Sequence, residues 1–203
     1  MSAVFPWSFF QDSLLSASSS FIDNRNLIKE SNFPHYLIPV SIILTNTIIF
    51  LPSLLIIIIP SLVLKGFSMF ILFLPIVLAL HLAMAAGLSI ILSLLYVKWR
   101  DIKFILEIIL LLLFYLTPAV YPLSLVKASF PPGLFKIYLL NPLVCILNLY
   151  RITLLKNFFV VIQKDTGLLV LIISPFVFTI LVLIISFYVY KKNRKNINDY
   201  LSY

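Results

Sequence analysis

The chain has 203 residues, 62% of them hydrophobic, with a formal net charge of +8 and a mean hydropathy of +1.13. A soluble domain keeps close to half its residues apolar; here the excess is gathered into long runs, which excludes an ordinary soluble globular domain. Cys145 is the only cysteine, so an intrachain disulfide and a cysteine-rich metal site are excluded as well.

In chain order, residues 3–10 (AVFPWSFF) read as the end of a hydrophobic helix, and 1–20 as a partial span. Residues 22–34 (IDNRNLIKESNFP) follow as a short polar piece, expected to be a helix lying along the membrane surface. Four strong runs come next. Residues 38–59 and 168–190 contain no acidic or basic side chain, 68–97 only His81, and 104–122 only Glu107. About 20 apolar residues of helix cross a hydrocarbon core of roughly 30 Å, so each run predicts a span. Helices rather than strands are predicted, because transmembrane strands alternate over segments of roughly ten residues. Prolines 39, 52, 75 and 175 lie inside these runs and predict kinks packed against neighbouring helices.

The 123–167 segment is too apolar to be a solvated loop, yet Pro131-Pro132-Gly133 and Asn141-Pro142 break it into pieces too short to span. Such pieces predict two short helices dipping back into the membrane, and irregular backbone at that depth is tolerated only when buried in protein or lining a wet cavity.

The basic residues set the topology. Arg25 and Lys29 precede the first strong run, Lys98, Arg100 and Lys103 lie between the second and third, and Lys191, Lys192, Arg194 and Lys195 follow the last. If all four runs span, these nine share one side, against Lys65, Lys127, Lys136, Arg151, Lys156 and Lys164 on the other. The positive-inside rule makes the first side, and with it the C-terminus (tail 191–203), cytoplasmic. The same distribution accounts for the positive charge without nucleic acid as a partner.

Few residues carry chemistry. The glycines stand at 66, 87, 133 and 167, so the phosphate-cradling pattern G-x-x-x-x-G-K-[S/T] cannot be written. No catalytic constellation, cofactor site or metal site emerges in this chain. Glu107 is an ionisable group inside a run, either functional or reaching the interface from one turn inside, with Lys103 four residues away to pair with it. His81 is read as a neutral histidine bonded to a neighbouring helix, with a proton-coupling role as the sharper alternative. Ala79, Ala83 and Gly87 repeat at four-residue spacing, a signal for close helix approach. Trp7, Phe9, Phe10, Phe114, Tyr115 and Tyr121 read as an aromatic belt or as stacking faces for sugar rings along a conduit.

Five stretches in order resemble a known family: Pro6-Trp7-Ser8-Phe9-Phe10; Asn26-Leu27-Ile28-Lys29, running to Phe33-Pro34; Tyr96-Val97-Lys98-Trp99-Arg100-Asp101-Ile102-Lys103; Leu116-Thr117-Pro118-Ala119-Val120-Tyr121-Pro122; and Leu140-Asn141-Pro142-Leu143 followed by Tyr150-Arg151. They resemble the membrane (permease) subunit of type-2 ABC exporters for lipid-linked polysaccharide such as O-antigen, capsule or teichoic acid. The resemblance implies an all-α, multi-span permease that pairs with a second copy and with separate ATPase subunits, which would hold ATP and Mg. It implies that the chain starts within the second of six spans, truncated at its N-terminus. It also makes 22–35 a coupling helix facing the ATPase, with the 98–103 loop nearby, and 123–157 a re-entrant gate-helix pair before the last span. Arg25, Asn26, Lys29 and Glu30 are the expected coupling residues; Phe9, Tyr115, Tyr121, Pro142 and Arg151 are expected at the conduit and gate. The function expected is export of a lipid-linked glycan across the bacterial inner membrane. The alternatives are an ABC exporter of a drug or small lipid, a secondary transporter using Glu107 and His81, and a non-functional truncated remnant.

Overall fold

The computed structural model describes residues 2–30, 34–65, 69–155, 158–159 and 168–194, and every element among them is helical. Among the described residues three helices are long and apolar enough to cross a membrane: α4 (Leu37–Lys65), α5 (Leu74–Lys98, entered through a 3-10 turn over Met69–Phe73) and α10 (Leu168–Asn193). Their outward faces carry Ile48, Leu72, Leu169 and Phe187, all largely exposed. That arrangement suits a hydrocarbon solvent and not water. The chain is a multi-span helical membrane protein.

The centre of the bundle is α1 (Val4–Ser18), which packs against α4, α5, α6 and α9. Its residues Trp7, Phe9, Phe10, Leu14 and Ala17 join Ile43, Phe50, Met84, Leu110, Leu147 and Tyr150 in the main core. An apolar circumference alone could equally face lipid; it is the four neighbouring helices that enclose α1. Trp7, Phe9 and Phe10 therefore form neither a belt nor an open stacking face in this chain, each being less than 5% exposed. α2 (Ser20–Asp23) and α3 (Arg25–Glu30) occupy the polar stretch after α1.

The apolar run over 104–122 is helical only as α6, Ile102–Leu116. At about 1.5 Å per residue it reaches roughly 22 Å, short of a full crossing. Thr117 precedes Pro118 and is extended (φ −101°, ψ 151°), as the proline ring requires of its neighbour. Among the described residues three short helices follow where the sequence predicts two: α7 (Leu123–Ser129), α8 (Pro132–Leu139) and α9 (Pro142–Leu154), with α8 and α9 bent by 81°. Pro52 and Pro175 lie inside helices, as does Pro60. Pro39 and Pro75 instead fall in the first turns of α4 and α5, where a missing N–H costs nothing.

The basic stretches around Arg25, Lys98 and Lys191 meet at one end. Phe21 and Ile28, the start of α4 at Ile38, and Leu94 near the end of α5 form one cluster, against which Val97 and the α10 residues Val189 and Tyr190 pack. Lys98 Nζ donates to Asn193 Oδ1 at 3.4 Å, tying the α5 and α10 C-termini together. At the opposite end, α7 and α8 pack through Val126, Phe135 and Leu139 against Leu171 and Phe70, which places Lys127 and Lys136 there.

Candidate functional site

The break after α6 is where irregular backbone enters the apolar part of the fold, and its carbonyls need partners. Thr117 turns its own Oγ1 and N–H back onto Leu113 O, both at 2.8 Å. The carbonyls beyond it are taken by Arg151, whose Nη2 donates to Ala119 O (3.2 Å), Tyr121 O (3.1 Å) and Pro118 O. Arg151 reaches them from α9. That helix is started by Asn141, whose Oδ1 accepts from Leu143 N–H at 3.0 Å, with Pro142 in the first turn where proline is already shaped for a helix. The Asn-Pro dipeptide thus sets the helix that carries the guanidinium.

The other breaks are closed in the same way. Leu139 O accepts from Cys145 Sγ (3.1 Å), Leu140 O from Ser174 Oγ of α10 (2.7 Å), and Leu154 O, at the end of α9, from the Ser61 hydroxyl of α4. Cys145, Ser174 and Ser61 are structural donors that no sequence signal marked, because each is defined by a partner on another turn or another helix.

On one side of the Arg151-held break lies a cavity of about 550 Å³, lined among others by Tyr115, Tyr121, Ser129, Phe130, Tyr138 and Asn141. Tyr121 Oη donates to Tyr115 O at 2.9 Å and stands 3.4 Å from Tyr138 Oη. Phe130 meets the Tyr138 ring edge-on at 6.0 Å. Aromatic faces and hydroxyls stand there among the aliphatic side chains of Leu113, Leu116, Leu125, Val126 and Ile137, a mixed lining on which a ring can stack and hydrogen-bond.

Of the expected conduit and gate residues, Tyr115, Tyr121, Pro142 and Arg151 therefore converge on one region. Phe9 does not join them. Its ring stacks on Phe50 (4.9 Å) and meets His81 edge-on (5.2 Å) inside the main core. His81 is buried there, 3.4 Å from Tyr150 Oη of α9, the neighbouring-helix bond read from the sequence. Glu107 is exposed on α6 and makes no ion pair among the described residues, with Lys103 or otherwise. Of the small-residue stripe, Ala79 is exposed while Gly87 is buried against α10, where an added Cβ would come within 2.7 Å of Val182 Cγ1.

Arg25 and Asn26 are exposed on α3, which is anchored by the buried Ile28 beside Phe21 and Leu94. The end of α5, and with it the start of the 98–103 loop, lies beside this helix. The side chains of Lys29 and Glu30, and the tail from Lys195, lie outside the described residues.

Residues 1–155 match the ABC-2 type transporter family. The chain belongs to that family. Among similar proteins, the O-antigen export system permease protein RfbA of Myxococcus xanthus is 29% identical over 152 residues, covering 72% of this chain and 56% of that protein. An O-antigen export system permease protein RfbA of Klebsiella pneumoniae is 30% identical over 133 residues, covering 64% of this chain and 51% of its own length. The chain thus spans about half the length of the relatives it matches. For this ABC-2 chain the family match takes in α3, the α6 break and the Asn141–Arg151 stretch together.

Proposed function

We propose that this chain is a permease subunit of an ATP-driven exporter that moves a lipid-linked polysaccharide across the bacterial inner membrane. It works with a second copy of itself and with a separate ATPase subunit that holds ATP and Mg. The observation that carries the reading is the likeness to O-antigen export permeases, and the cavity beside the α6 break, with its mixed aromatic, hydroxyl and aliphatic lining, supports it. In this reading Arg25, Asn26, Lys29 and Glu30 receive the ATPase stroke on the cytoplasmic side. Tyr115, Tyr121, Pro142 and Arg151 shape the gate, and Phe9 belongs to the main core instead. ATP hydrolysis belongs to the partner, and the C-terminus is cytoplasmic.

The test is affinity purification from native membranes, with mass spectrometry of whatever accompanies the chain. A nucleotide-binding subunit and a glycan-bearing lipid are the expected companions. A chain that comes alone, from membranes in which the ATPase is expressed, overturns the proposal.

A further inference from the structure

The corner where α5 and α10 end is strongly basic. Lys98 closes α5, Arg100 follows two residues later, and Lys191, Lys192 and Arg194 occupy the end of α10; all five are exposed. Asp101 is the one acid among them in the described residues. The Lys98–Asn193 hydrogen bond holds the two helix ends side by side, so these charges form one patch.

The direction in which the patch faces decides its partner. Val189 and Tyr190 pack inward on the cluster that anchors α2 and α3. Phe187 and Tyr188 point the other way, 67% and 65% exposed. Residues four apart share a helix face, so Lys191 stands one turn beyond Phe187 and Lys192 one turn beyond Tyr188. Both lysines therefore overhang the outward apolar face, on the side away from α3. Trp99, 60% exposed, directly follows Lys98 at the end of α5, and amphipathic rings at span ends favour headgroups.

We propose that this corner binds the phosphate headgroup of an anionic phospholipid, whose acyl chains lie along Phe187 and Tyr188. Basic side chains just beyond a hydrophobic belt attract such headgroups, and the attraction weakens with salt. An acidic protein surface is the competing partner, but it would have to approach over the lipid-facing side. The inference concerns the membrane setting and is independent of the cargo.

The experiment is native mass spectrometry of the purified, delipidated protein, with any subunits it carries, offered phosphatidylglycerol or phosphatidylcholine. Retention of phosphatidylglycerol should exceed that of phosphatidylcholine by about fivefold or more. The Arg100→Gln/Lys191→Gln/Lys192→Gln variant should abolish the excess, while Lys136→Gln, an exposed lysine at the other end, should leave it intact. Equal retention of the two lipids by the unaltered protein overturns the proposal. So does an unchanged excess in the triple variant, whether or not that variant loses an ATPase companion. Should the triple variant not fold, the unaltered protein at low and high salt decides: the excess must shrink with salt, and an excess indifferent to salt overturns the proposal.

Discussion

Arg151 brings a guanidinium to a site where it is 7% exposed and, among the described residues, has no carboxylate beside it. Its partners are three carbonyls of one non-helical stretch, and a hydrogen bond to a charged donor contributes about 1.5–3 kcal/mol. Arg151→Ala should strip those carbonyls and cost about 3 kcal/mol or more, read as a fall in the thermal unfolding midpoint in detergent. Arg151→Lys should recover only part of the loss: all three bonds come from the one nitrogen Nη2, which a shorter, flexible lysine stem does not bring to the same place; full recovery would show that charge alone suffices. His35, in the turn before α4, gives a prediction in pH. Its Nδ1 is buried with no hydrogen-bond partner among the described residues, and burial holds its pKa below the ordinary value. The unfolded chain therefore binds the proton more readily once the pH drops below about 6.5. Stability is full above that pH and falls as the pH descends toward the folded value. His35→Gln should flatten the stability difference between pH 7.5 and 5.5; an unaltered slope would assign it to other groups.

At the scale of elements, α5 lies close against α10 at Gly87. Gly87→Ala drives a methyl toward Val182 and should cost about 1–3 kcal/mol. A compensating Val182→Ala on the same chain should return most of it, and a variant as stable as the parent would mean that the helices simply move apart. The short α3 presents Arg25 and Asn26 outward while Ile28 holds it down. In the transport reading, Lys29→Ala/Glu30→Ala should insert normally yet leave ATPase turnover uncoupled from export; unchanged export removes the coupling role from this helix. The long helices were legible from hydrophobic length alone, whereas the end of α6 was placed at Pro122 instead of Leu116. Pro118 carried the missing signal, because the residue before a proline leaves the helical region, but the apolar run continues past it and conceals the stop.

For the whole molecule, Arg25, Lys98, Arg100, Lys191, Lys192 and Arg194 gather at one end, and the prediction from the positive-inside rule is that this end faces the cytoplasm. A reporter active only in the cytoplasm, fused after Tyr203, should be active; activity of a reporter that works only outside would invert the topology. The sequence by itself determined the solvent of this protein, its helical class and which segments share a side, because hydrophobic length and the placement of basic residues are properties of a one-dimensional string. Only the tertiary structure decided that α1 is the centre and that Phe9 lies in the core, away from the gate. Only it paired Arg151 with carbonyls 30 to 33 residues earlier, and Ser174 and Ser61 with breaks 34 and 93 residues away. The physical reason is that apolar runs look alike whether they face lipid or another helix, and a backbone group left open by a break takes whichever donor packing brings within reach.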